Sequence, residues 1–138
     1  MNLLASNDLD AATSLMLALV DSSRTPLLLL DGDLHVVAAS ASFYSGFEAN
    51  PLHTLGRLLS ELGSGEWGRP QLGAVLKAAV SGLEDIQTYE MDLTRRHRET
   101  RTVVLTVHKL EYGVGEQVRL MVTIADVTEA RAAELFKK

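Results

Sequence analysis

The chain of 138 residues contains no cysteine. That absence excludes disulfides, thiolate metal sites and thiol chemistry. It is compatible with a cytoplasmic protein, the localisation expected here. An excess of positive charge is also missing. The formal net charge is −5, which argues against a nucleic-acid partner, because phosphate binding needs a positive face. No apolar run approaches the ~20 residues that span a bilayer, and the longest, Leu15–Val20, is far shorter. No basic stretch precedes an apolar core at the N-terminus, so no secretory signal is read. Internal repeats and low-complexity tracts are lacking. The length fits one domain. Such a domain buries roughly two-thirds of the unfolded chain's surface and needs no staple.

What is present is organised around the last third. Thr102–Leu110 and Val118–Ala125 are rich in β-branched residues, and Glu111–Gln117 between them holds two glycines. This pattern predicts an antiparallel hairpin. The chain then passes through Asp126, Val127 and Thr128 into a polar helix over 129–138. Such a strand pair, handing directly to an exit helix, can transmit a change in the sheet outward.

Earlier in the chain, Asp8–Asp21 reads as a helix capped by Ser6, Asn7 or Asp8. Leu9, Ala12, Met16 and Leu19 recur at three- and four-residue steps. That stripe packs either on its own domain or along a dimer seam. Leu27–Leu30 shows no alternation, which predicts a first strand covered on both faces. Asp31-Gly-Asp33 is a tight turn, and Leu34–Ala39 is the returning strand. Asp31, Asp33 and His35 lie close enough to suggest a metal or acid/base site. Ordinary turn chemistry accounts for them better, and no metal site is assigned.

Ser40 caps a short helix whose Phe43 and Phe47 share a face. Pro51–Leu62 holds short leucine-rich helical turns, and Gly63–Pro70 is a loop. Trp67 in that loop is a packing plug or, less readily, a ligand stack. Pro70 opens a helix that runs over 71–81 and stops at Gly82. Leu72, Val75, Leu76 and Ala79 form its inward stripe. Ile86–Leu93 is a strand, and the basic run at 95–98 either touches an anionic partner or, the reading preferred because Glu99 interrupts it, is a solvated hairpin tip. Sequential strands usually pair. The expected fold class is therefore α+β, with five antiparallel strands carrying helices on one face and helices at both ends. Val103, Leu105, Val107, Leu120, Val122 and Ile124 are assigned inward. The opposite face, with Val104, Thr106, His108, Met121 and Thr123, is mixed and needs a cover from this chain or a second copy.

Five segments, in this order, resemble the PAS sensory domain over about 25–134. Leu34–Tyr44 is similar to its second strand and first core helix. Gly46-Phe47 resembles the step that closes that helix. Gly56-Arg57 resembles its Gly-Arg step. Leu62–Trp67 before a long helix is similar to PAS domains of bacterial histidine kinases and chemotaxis methylation enzymes. Ala125-Asp-Val-Thr-Glu129 resembles the closing sequence where the last strand becomes the output helix. The resemblance implies an N-terminal helix over 1–24, a candidate for dimerisation, a PAS domain over 25–128 and an output helix from 129. It implies a non-catalytic sensory module, a homodimer, regulating a histidine kinase or related two-component output that lies C-terminal to the chain or interacts with it. A small-molecule ligand would be lined by Phe43, Leu58, Leu72, Leu76, Val103, Leu105 and Val122, with Asp126 and Thr128 passing the signal. Dimerisation without any ligand is the alternative. An acid/base enzyme using His35 or His53 is a remote one.

The departures are informative. Ser40 stands where the family often has asparagine. Leu58 and Leu59 follow Gly56-Arg57 where flavin-binding relatives carry an adduct-forming cysteine. The 71–81 helix has no histidine of the kind haem-binding relatives use. The cofactor is therefore unknown, with a flavin–cysteinyl adduct and haem both disfavoured. The chain carries no recognisable kinase, phosphotransfer or DNA-binding element, and reads as an excerpt or a free-standing adaptor.

Overall fold

The computed structural model describes residues 14–82, 86–95, 97–112 and 117–136. Helix α1 covers residues 14–22 of this span. Strand β1 is Leu27–Asp31, β2 is Val36–Ala39 and helix α2 is Ala41–Gly46. Two 3-10 turns follow, Pro51–His53 and Leu59–Glu61. Helix α3 is Pro70–Ser81, β3 is Ile86–Leu93, β4 is Arg101–Tyr112, β5 is Gln117–Asp126 and helix α4 is Thr128–Phe136. The strands form one antiparallel sheet in the order β2-β1-β5-β4-β3. This is the expected α+β layer structure.

β1 shows why its sequence does not alternate. Leu28 and Leu30 enter the main core beneath the helices. Leu27 and Leu29 point the other way, into a second cluster with Val20 and Ala38. A leucine buried from water contributes ~1.5–3 kcal/mol, so both faces of β1 are held. α1 is thus part of the cover that the outer sheet face requires: Met16 packs on this cluster together with Met121 and Leu110.

β2 is shorter than its sequence predicts, starting at Val36 instead of Leu34. The turn takes the missing residues. Asp31 Oδ1 accepts amide hydrogens from Asp33 and His35, each at 2.9 Å. Leu34 closes the turn at φ 71°, in the left-handed region. His35 then pairs in an isolated bridge with Leu58.

Ser40 does more than cap α2. Its Oγ accepts from Phe43 N at 3.1 Å and from Leu27 N at 2.9 Å, and it is fully buried. Ser42 Oγ donates to Ser23 O at 2.7 Å and lies 2.8 Å from Ser40 Oγ. Ser42's proton is thereby committed, so Ser40 must donate to Ser42. The departure from asparagine costs no satisfied group: one serine ties α2 to β1 and, through Ser42, to the segment after α1.

α3 begins on Pro70 and ends on Gly82 at φ 76°, a conformation that favours glycine. Leu72, Leu76 and Ala79 are buried against the sheet. Opposite them, Val103, Leu105, Val107, Leu120, Val122 and Ile124 all have 0% exposure. β4 and β5 extend slightly further than the sequence pattern indicates, with pairs reaching Tyr112↔Gln117.

Candidate functional site

The junction between sheet and exit helix carries the densest polar web among the described residues. Asp126 ends β5 and caps α4: its Oδ1 accepts Thr128 N at 3.0 Å and Thr128 Oγ1 at 2.6 Å. A short carboxylate two residues before the helix amide meets one of the unpaired donors of the first turn. Thr128 Oγ1 in turn accepts from Thr102 N on β4 at 2.8 Å. Val127 N donates to Thr102 O at 2.8 Å. The start of α4 is therefore hydrogen-bonded to β4 through both side chain and backbone.

Arg101 clamps this junction. Its Nε donates to Asp126 Oδ2 at 2.8 Å, and its Nη2 donates to both Glu129 carboxylate oxygens at 2.8 and 2.9 Å. Further along α4, Arg131 Nη2 donates to Glu90 Oε1 of β3 at 2.6 Å. Partial burial would raise the Asp126 carboxyl, but hydrogen bonds from Arg101 and Thr128 outweigh it and hold the group below its usual range. The hydrogen bond from Arg101 likewise lowers Glu129. Two separate ion-pair groups thus tie the exit helix to the sheet: Arg101 with Asp126 and Glu129 at β4 and β5, and Arg131 with Glu90 at β3.

The seven expected ligand-lining residues are divided between the core and two surface clefts. Val103, Leu105 and Val122 are sealed in the core and line neither of two surface clefts. Leu58, Leu72 and Leu76 border a cleft of about 570 Å3 between α3 and the segment before it. Phe43 borders a separate cleft of about 330 Å3, beneath the β3–β4 connection. The divider is Trp67, which lines both clefts. It is 3% exposed, with its ring 5.4 Å from Phe47 and 6.3 Å from Phe43. Its packing is that of a plug, because a tryptophan's large apolar area anchors a loop.

Among the dimer candidates, Leu9 and Ala12 lie outside the described residues. Met16 faces its own sheet, whereas Leu19 is 62% exposed. Leu15 is equally exposed, at 62%, one helical turn before Leu19. The outward apolar face of α1 therefore runs through Leu15 and Leu19, and Met16 belongs to the inward face.

Asp31, Asp33 and His35 bring one potential ligand atom each within 4.8 Å of one another. Asp31 Oδ1 is already engaged by two amides, and His35 Nδ1 lies 3.5 Å from it. The cluster is a hydrogen-bonded turn. His53 is not part of that group and lines the smaller cleft.

The sequence singled out Asp126 and Thr128, which lie in this web, but not Arg101, Thr102, Glu90 and Arg131, which lie in it too. Arg101 has one detectable signal: it begins a β-branched strand, next to a basic loop, in a position where a solvated charge has no evident use. Its partners lie 25 and 28 residues away, a separation that periodicity does not reveal.

The order of elements and the sheet topology define an α+β module whose five-stranded antiparallel sheet carries helices on one face. Residues 20–132 match the family model for the PAS fold, and the chain belongs to that family, whose members are sensory and signalling domains. It is similar in structure to the PAS domain of Bordetella pertussis BvgS, with TM-score 0.68 and 20% identity over 92% of this chain and 93% of that one. The PAS domain of an HTR-like protein from Haloarcula marismortui gives TM-score 0.60 and 20% identity, over 88% and 96%. A Rhodobacter sphaeroides LOV protein gives 0.70 and 19%, over 91% and 75%. At these identities the likeness is one of fold. No curated protein matches the chain. Among the described residues, no helix is long and apolar enough to cross a membrane.

Proposed function

We propose that the chain is a non-catalytic cytoplasmic sensor that works as a homodimer and passes its state through α4 to a histidine kinase or related two-component output. The observation that carries this reading is the junction: Arg101, Asp126, Thr128 and Glu129 lock the first turn of α4 to β4 and β5. A change in strand position moves these donors and acceptors, and α4 must follow or detach. A ligand acts only through unequal affinity for the two states. The reading uses neither a flavin–cysteinyl adduct nor haem, since cysteine is absent and α3 has no histidine.

The test joins α4 in frame to a histidine-kinase catalytic core and measures autophosphorylation. Thr128→Val should change the rate, whereas a surface change on β3 such as Thr88→Ser should not. Equal rates in all three proteins would end the proposal. For the dimer, Leu15→Glu with Leu19→Glu should give a folded monomer by light scattering. A persistent dimer would place the seam elsewhere.

A second reading, dimerisation without a ligand, is favoured by one observation: the core under the sheet is filled, with Val103, Leu105 and Val122 at 0% exposure. Any ligand must then enter one of the surface clefts.

A further inference from the structure

The smaller cleft has a composition that selects a ligand class. Its floor is aromatic. Phe43, Phe47 and Trp67 pack together there, with Phe43 and Phe47 ring centroids 5.3 Å apart. Two arginines from the β3–β4 connection, Arg95 and Arg98, also line it. Arg95 lies over the Phe47 ring, its guanidinium carbon 5.4 Å from the centroid. Its Nε is buried with no hydrogen-bond partner among the described residues. A buried donor of a charged group left unpaired is costly, and native proteins rarely tolerate one without a use.

Arg98 shows what the site can hold. It pairs with the Glu48 carboxylate, which reaches across from the end of α2. Glu48 and His97, the neighbour of Arg98, both adopt left-handed backbone, at φ 54° and 60°. Non-glycine residues in that region store some strain. The pair is a latch across the cleft, with Glu48 occupying a carboxylate position.

We propose that this cleft binds a small monocarboxylate with a flat apolar body. A guanidinium fork matches a carboxylate, and aromatic rings receive the apolar part. A volume of about 330 Å3 suits a small ligand. Glu48 and Glu66 in the lining disfavour a dianion such as phosphate. Glu66 is itself held by Ser64 N at 2.9 Å and is not free to leave. The bound carboxylate pairs with Arg95 at the cleft wall and competes with Glu48 for Arg98, which opens the latch and frees the β3–β4 connection. That connection leads directly into Arg101, the clamp on α4. The inference rests on the sensory reading for its purpose, but its detection is independent of α4.

Trp67 is the sole tryptophan and forms part of the floor, so its fluorescence reports binding directly. Phenylacetate would be titrated into the full chain, with 2-phenylethanol and inorganic phosphate at matched ionic strength as comparisons. Phenylacetate should shift the emission saturably, and the alcohol and phosphate should bind at least about tenfold more weakly, the factor expected for a charge-assisted hydrogen bond. Arg95→Leu should weaken phenylacetate by a similar factor. Glu48→Gln removes the internal competitor and should tighten binding by up to about fivefold, the scale of an exposed ion pair. Lys77→Gln, in the other cleft that Trp67 borders, should leave binding unchanged. The proposal is overturned if phenylacetate fails to bind at about 10 mM. It is also overturned if the alcohol or phosphate binds as tightly, or if folded Arg95→Leu binds like the parent. Binding at Trp67 without any change in α4 hydrogen exchange would keep the site and sink the sensory role.

Discussion

Replacing Thr128 by valine tests the junction with little change in shape. Valine keeps the β-branched outline but removes the Oγ1 that accepts from Thr102 N at 2.8 Å and donates to Asp126 Oδ1 at 2.6 Å. The lost amide bond costs about 1 kcal/mol where water can reach the donor, and more where it cannot. Thr128 is half-buried, which places the amide toward the lower figure. The bond to Asp126 is charge-assisted but lies in an exposed setting, which discounts it. The sum is about 1–2 kcal/mol for docking of α4. At 1.4 kcal/mol per factor of ten, hydrogen-exchange protection of α4 amides should fall about five- to thirtyfold. Global stability should change little, because the core is untouched. Thr128→Ser retains the oxygen and should keep most of the protection. If the valine variant protects α4 within twofold of the parent, the hydrogen bonds at Thr128 do not hold the helix and the coupling argument fails.

Three further outcomes follow from the same structure. Leu105→Ala, at a fully buried position opposite α3, should lower unfolding stability by about 2–5 kcal/mol in a urea titration. A loss below about 1 kcal/mol would mean that the interior is loose. Asp126 and Glu129 have lowered folded values, so their stabilisation is fully present above the ordinary carboxylate range and is lost as pH falls through it. Exchange of α4 should therefore rise selectively below about pH 4. Arg101→Gln should flatten that response, and a pH profile shared equally by α3 and α4 would contradict the clamp. Gly82→Ala places a side chain at φ 76°, and among the described residues its Cβ would meet the flexible end of Lys109, at 3.0 Å. The cost is then mainly backbone strain, about 1 kcal/mol by thermal denaturation. A neutral result would mean that the C-terminal turn relaxes.

The sheet and its inner face were legible because they follow local rules. Alternation at Val103, Leu105 and Val107 and the unbroken leucines of β1 report burial directly. Proline and glycine bracket α3 as their backbone chemistry dictates. The start of β2 was misplaced because Asp31 draws residues 33–35 into its own hydrogen bonds, a competition that propensity does not encode. The α1 stripe was placed on one face because the step between Met16 and Leu19 is helical. The structure rotates it so that Met16 and Val20 meet the sheet while Leu15 and Leu19 face out. The pocket residues were chosen by inward direction alone. Direction shows that Val103 and Val122 are buried, but not whether space is left beside them. The run at 95–98 reads in sequence as a solvated tip because the pairing of Arg98 with Glu48 joins residues 50 apart, which a local pattern does not reveal.

The central claim, that α4 is held to the sheet by its first-turn cluster, is open to one direct measurement. The chain has no native cysteine, so spin labels at Thr88→Cys on β3 and Ala133→Cys on α4, diluted with excess unlabelled chain so that a dimer carries one labelled copy, report only their own separation. Electron–electron double resonance should give a single narrow distance in the parent at neutral pH and a broad distribution when Arg101→Gln and Thr128→Val are combined. The same distribution in both proteins, narrow or broad, would contradict it.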